Sequence, residues 1–159
     1  MRLWIVRHGK AEQHSPSGSD FDRPLMPRGQ RQAEWLGETI AAKKKRPALI
    51  LSSGLSRAIA TARLIQQRLG CELEIARNLE TGHSASEVAE LVESRLGPDG
   101  LMIVGHNPTF GELVWALERG LPIREADMRT GEAVVFEFDG GFGVGRGRLH
   151  KRLRLDDED

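Results

Sequence analysis

Arg2-Leu3-Trp4-Ile5-Val6-Arg7-His8-Gly9 is the stretch on which the fold of this chain turns. Residues 2–6 are short, apolar and β-prone, which predicts a buried strand. The strand stops at once on a cation, an imidazole and a glycine. In open α/β sheets ligands gather where strands end and helices begin, so this polar stop marks a place to look for chemistry.

Working outward, the same pattern returns twice. Residues 48–51 predict a second buried strand, and Ser53-Gly54-Leu55-Ser56-Arg57-Ala58 follows it at the head of a helix to Leu69, with Ser56 as the expected N-cap. Residues 101–104 predict another strand, and Gly105-His106-Asn107-Pro108 follows it, with Pro108 opening a helix that aligns Phe110, Leu113, Val114 and Leu117. Between these lie a predicted helix from Pro27 to Lys45, a short strand from Glu72 to Ile75 and a helix capped by Ser84 that ends near Gly97. Residues 9–28, with Pro16, Pro24 and Pro27, read as a long loop of the functional kind. An alternating strand is expected over 133–138, a turn at Asp139-Gly140-Gly141, and a returning strand within 144–153. Strands alternating with helices predict an α/β protein, a three-layer α/β/α sandwich with a mostly parallel sheet. Residues 1–155 read as one domain and 156–159 as an acidic tail expected to be disordered.

The 159 residues carry 23 Lys plus Arg against 23 Asp plus Glu. That neutrality argues against a general nucleic-acid binder, which needs surplus positive charge. A single cysteine, Cys71, excludes an intrachain disulfide and a Cys-rich zinc site, and fits a reducing compartment. No apolar run approaches the ~20 residues of a membrane span, and the apolar start is too short for a signal-peptide core. The expectation is a cytoplasmic protein with neither membrane nor nucleic acid as partner.

The three polar stops together supply two imidazoles, two guanidiniums and two helix N-termini. Helix N-termini favour anions, and arginine forks match phosphate oxygens. The natural ligand is a phosphoryl group, whose transfer relies on positioning and charge stabilisation that such a set supplies without a metal. Arg57 in the first turn of a helix opposes the helix dipole, a local misfit that favours a functional role. A metal hydrolase assembled from His8, Glu80, His83 and His106 lacks short ligand spacing.

In this order the motifs Arg7-His8-Gly9, Ser53-x-x-x-Arg57-Ala58 and Gly105-His106-Asn107-Pro108 resemble the histidine phosphatase superfamily, of phosphoglycerate-mutase-like fold. The short length, and Arg23-Pro24-Leu25 ahead of Arg28-Gly29, are similar to its SixA branch of phosphohistidine phosphatases. The resemblance implies a phosphatase (a phosphoric monoester hydrolase by type) that needs no metal or cofactor. His8 would be the nucleophile and form a transient phosphohistidine. Arg7 and Arg57 would clamp the phosphoryl oxygens, His106 would contact the same group, and Glu80 is the candidate general acid. The familiar aromatic-glycine continuation after that carboxylate is missing here, and a P–N leaving group needs less help from an acid than an alkoxide does. The implied substrate is therefore phosphohistidine in a protein; the alternatives are a small-molecule phosphomonoesterase and a non-catalytic phosphate-binding module.

Overall fold

The structure is a computed structural model that describes residues 1–155; the predicted acidic tail, 156–159, lies outside the described residues. Six strands form one sheet: β1 (Arg2–Arg7), β2 (Leu49–Ser52), β3 (Glu72–Ile75), β4 (Leu101–Gly105), β5 (Ala133–Glu137) and β6 (Arg148–Leu153). Four helices cover it: α1 (Pro27–Ala41), α2 (Ser56–Leu69), α3 (Ala85–Arg95) and α4 (Thr109–Arg119). The spatial order is β3-β2-β4-β1-β5-β6. The first four strands are parallel, and β5 and β6 run antiparallel. The expected three-layer sandwich with a mostly parallel sheet is what forms.

The layers follow from strand periodicity. Successive side chains point to opposite faces, and helices on both faces bury both sets, so the central strands are apolar throughout. Leu3, Ile5, Ile103 and Val134 pack with Val88 and Val92 of α3 and Phe110 and Leu113 of α4. Trp4, Val6, Met102 and Val104 pack on the other face with Leu36 and Ile40 of α1 and Ala58, Ala62 and Ile65 of α2.

Several boundaries differ from the sequence reading by a residue or more, two of them at helix ends. Helix α1 ends at Ala41 rather than Lys45, because its apolar stripe ends at Ile40 and residues 42–46 are exposed with nothing to bury. Helix α2 has Leu55 at its N-cap, and Ser56 is already its first turn. Ser84 does cap α3, in a reciprocal capping box with Glu87.

Strand order positions the site. The three strands that carry the polar motifs are separated in sequence yet adjacent in space, as β2-β4-β1. Arg7 pairs with Gly105, and Ser52 pairs with Val104. Because the three run parallel, their motifs leave the sheet at one edge. Behind that edge the backbone is tightly stacked: a Cβ on Gly9 would lie 2.5 Å from the Gly29 carbonyl oxygen in α1. Gly9→Ala should therefore cost about 2 kcal/mol through overpacking. Gly97→Ala, where a Cβ meets nothing within 4 Å, should change stability by less than about 0.5 kcal/mol. Urea unfolding of the two variants checks the contrast; equal midpoints would refute the packing argument.

Candidate active site

His8 stands in the first turn after β1, anchored on three sides. Its backbone N–H donates to the Gly105 carbonyl at 3.1 Å, and its own carbonyl accepts from Gly131 N–H at 2.9 Å. The next residue, Gly9, donates its N–H to Thr61 Oγ1 at 3.0 Å. The His8 ring is buried, with Nδ1 2.7 Å from the Gly9 carbonyl oxygen. A carbonyl can only accept, so Nδ1 carries the proton and Nε2 keeps its lone pair. That lone pair accepts from Arg57 Nε–H at 3.3 Å.

Arg57 is 5 % exposed although it is a cation. Its remaining donors reach Asp20: Nη1 donates to the Asp20 carbonyl at 2.8 Å and Nη2 to Asp20 Oδ2 at 3.2 Å. Arg7, at the end of β1, donates Nη1 to the Met128 carbonyl at 3.0 Å. Burial draws its pKa below the ordinary arginine value, against the opposing pull of Glu125 and Asp127. It remains a cation, because a guanidinium does not lose its proton in proteins.

His106 faces His8 with ring centroids 5.2 Å apart. Its Nε2 lies 2.8 Å from Ser53 Oγ, which accepts from Leu55 N–H at 3.1 Å; with the Ser53 hydroxyl donating to Nε2, the proton of the neutral ring sits on Nδ1. Ser53 thus closes the turn and holds an imidazole as well. Burial is the main reason that both rings stay neutral. It pushes His8 down to about 4, and Arg57, Arg7 and Arg23 push the same way. It pushes His106 down to about 3, helped by His8 and Arg57 and opposed by Asp20.

These four residues form a cup of two guanidiniums and two neutral imidazoles. Two of its buried nitrogens, Arg7 Nε and His106 Nδ1, have no hydrogen-bond partner among the described residues. A buried polar atom left unpaired costs about 1–3 kcal/mol, and folding tolerates this where a ligand will bind. No group of His, Cys, Asp and Glu among the described residues stands close enough to hold a metal ion. No described helix is long and apolar enough to cross a membrane.

Glu80 stands apart, after the short turn 77–79. Its Oε2 lies 3.0 Å from where a Cβ on Gly54 would be. It therefore stands over the turn that follows β2, and among the described residues no hydrogen bond joins it to the cup. His83 pairs with Glu87 at 2.7 Å and accepts a bond from Thr109 through its carbonyl, away from the cup. The structure adds residues that sequence reasoning missed. Thr61 donates to the Arg57 carbonyl at 2.8 Å while accepting from Gly9. Asp20 and Arg23 come from the 9–28 loop, where Arg23 Nη1 donates to Asp20 Oδ1 at 2.9 Å. Thr61 sits one helical turn after Arg57, and that spacing could have flagged it. For Asp20 no local pattern exists, because a loop acid signals nothing until the loop is folded over α2.

Residues 3–83 match the family model described as histidine phosphatase superfamily, branch 1. No curated protein matches the chain in sequence. Among solved structures, one assigned as phosphohistidine phosphatase SixA from Agrobacterium tumefaciens is 27 % identical, with a TM-score of 0.81 over 98 % of both chains. A protein histidine phosphatase SixA complexed with tungstate is 21 % identical, with a TM-score of 0.82 over 97 % of both chains. A mycobacterial glucosyl-3-phosphoglycerate phosphatase complexed with VO3 is 23 % identical, with a TM-score of 0.72 over 93 % of this chain and 96 % of that one. At these lower identities the likeness is one of fold, the phosphoglycerate-mutase-like α/β arrangement. With the family model spanning half its length and the three motifs meeting at one sheet edge, the chain belongs to the histidine phosphatase superfamily, branch 1.

Proposed function

We propose that this protein is a metal-independent phosphatase that works through a phosphohistidine on His8 Nε2, and that its substrate is phosphohistidine in a protein. One observation carries the reading. The neutral, tautomer-fixed Nε2 of His8 opens onto Arg7, Arg57 and His106, two of which contribute buried nitrogens without partners. A phosphoryl oxygen is the ligand that satisfies such donors and is attracted by their charge.

The reaction follows from these positions. A phosphoryl group enters, and Arg57 Nε–H moves from the His8 lone pair to a phosphoryl oxygen. The freed lone pair of Nε2 attacks phosphorus; the new P–N bond forms as the bond to the substrate nitrogen breaks. The departing imidazole takes the electron pair and a proton from solvent. Arg7, Arg57 and His106 Nδ1 stabilise the charge spread over the oxygens. During this step positive charge grows on the His8 ring, and the Gly9 carbonyl at Nδ1–H stabilises it. Water then attacks phosphorus, the P–N bond breaks, and phosphate leaves with the electron pair returned to Nε2. Cationic neighbours and burial keep that nitrogen unprotonated at neutral pH.

Two features favour a macromolecular substrate. Phe21, next to Asp20 in sequence, and Ile75, 3.4 Å from where a Cβ on Gly54 would be, are each about half exposed. Apolar side chains so placed offer contacts that a protein surface uses and a small anion does not. Glu80 is not hydrogen-bonded into the cup, and cleavage of a phosphoramidate P–N bond needs no strong enzymic acid. The second reading, a small-molecule phosphomonoesterase, is favoured by the same carboxylate standing over Gly54.

Five measurements test this. Wild type should take up acid-labile ³²P from a phosphohistidine peptide, and His8→Ala should not; its turnover should fall at least about a thousandfold. Glu80→Gln should slow phosphomonoester hydrolysis by about tenfold or more while leaving P–N hydrolysis within about threefold; equal losses would overturn the leaving-group argument. Activity should survive a chelator. Proton NMR should find the rings of His8 and His106 still neutral at pH 5.5, a full unit below the ordinary histidine value. The unfolded chain binds protons on these rings below about pH 6.5, whereas the folded one does so only nearer 4 and 3. Stability should therefore fall as pH drops through that window, by on the order of 3 kcal/mol for His8, and the fall should be shallower in His8→Asn.

A further inference from the structure

Arg57 offers its charge in two directions. Its Nε–H faces His8 Nε2 at 3.3 Å, and its Nη1 and Nη2 are both engaged by one residue, Asp20. Asp20 accepts once through its backbone carbonyl and once through its carboxylate, so the far end of the guanidinium is gripped in its own plane. The carboxylate is itself pinned: its other oxygen accepts from Arg23 Nη1 at 2.9 Å, and Arg23 Nε donates to the Glu12 carbonyl at 2.7 Å. Asp20 opens a short turn, 20–22, that Ser19 caps by accepting from Phe21 N–H. A continuous set of hydrogen bonds thus runs from the Glu12 backbone through Arg23, Asp20 and Arg57 to the nucleophilic nitrogen.

The grip answers a physical need. A long, rotamer-rich side chain held by one contact would sample several positions, and transfer chemistry loses about a hundredfold in rate for a 1 Å misplacement. Thr61 holds only the backbone of Arg57. Among the described contacts, Asp20 is what fixes the guanidinium itself from behind. Its carboxylate is more than half exposed, so this ion pair contributes little to folding. Its consequence is geometric.

We propose that Asp20 is a positioning residue that acts through Arg57, aiming Nε–H at the phosphoryl site on His8. The proposal rests on the phosphatase reading of the cup. It has a signature that a purely electrostatic role lacks. If Asp20 were only a negative charge competing with the substrate, removing it would tighten anion binding; if it aims Arg57, removing it weakens binding.

The test is a double-mutant cycle on the full chain, read both as kcat/KM on a phosphohistidine peptide and as the Kd of inorganic phosphate by calorimetry. Asp20→Ala should lower kcat/KM by about 10- to 100-fold, raise the phosphate Kd by at least about threefold, and leave the thermal midpoint within about 2 °C of wild type. Asp20→Asn keeps an acceptor oxygen for Nη2 and should recover much of both losses. In an Arg57→Ala background, Asp20→Ala should cost nothing further, because a residue acting through Arg57 has nothing left to aim. Tighter phosphate binding in Asp20→Ala would overturn the proposal. So would a loss of equal size in the Arg57→Ala background, which would make Asp20 act directly. If Arg57→Ala itself leaves turnover and phosphate binding intact, the cup reading fails and this proposal fails with it.

Discussion

The 2.7 Å hydrogen bond from His8 Nδ1 to the Gly9 carbonyl is the constraint on which the rest depends. An imidazole can attack only through a nitrogen free of its proton, and this bond decides which nitrogen that is. It forms between neighbouring residues, so it survives only while the backbone at 8–9 is held in one conformation. The rest of the edge supplies that restraint. Gly105 and Gly131 bind the His8 backbone, Thr61 binds Gly9, and Gly29 presses against Gly9 so closely that no side chain fits. The close approach of α1 to this turn is thus part of the chemistry.

The cup is electrostatically expensive, and the fold distributes that cost. A buried arginine, Arg57, and a half-buried one, Arg7, should repel each other, and each loses hydration. Arg57 is compensated by Asp20, and Arg7 by the Met128 carbonyl with Glu125 and Asp127 in its field. What is left uncompensated among the described residues is Arg7 Nε and His106 Nδ1. Full neutralisation would stabilise the protein and leave the proposed phosphoryl site without free donors. Partial neutralisation from the outer side leaves the inner donors available, an arrangement consistent with electrostatic preorganisation.

Much of this was legible beforehand. Strands β1, β2 and β4 announced themselves as apolar runs ending on polar motifs, and the sheet order then placed Arg7, His8, Arg57 and His106 together. Local chemistry also located the N-cap at Ser84, to which the structure adds a capping-box partner three residues on, Glu87. Legibility stopped where partners are distant. The bond between Ser53 and His106 was hidden, since nothing local couples them across 53 positions. Asp20 meets Arg57 only because the 9–28 loop lies over the start of α2. The end of α1 was overshot because a run of lysines has good helix propensity, whereas tertiary burial, which ceased at Ile40, decided the boundary.

From the chain alone came the elements, the α/β class and the chemical type of the site, because periodicity and strand-end motifs are short-range properties written in adjacent residues. Folding decided which nitrogen of His8 is free, how far both imidazoles are driven from protonation, which acid grips Arg57, and that Glu80 stands over Gly54. Those outcomes depend on desolvation and on contacts between residues tens of positions apart, and neither quantity exists until the sheet has closed its two faces.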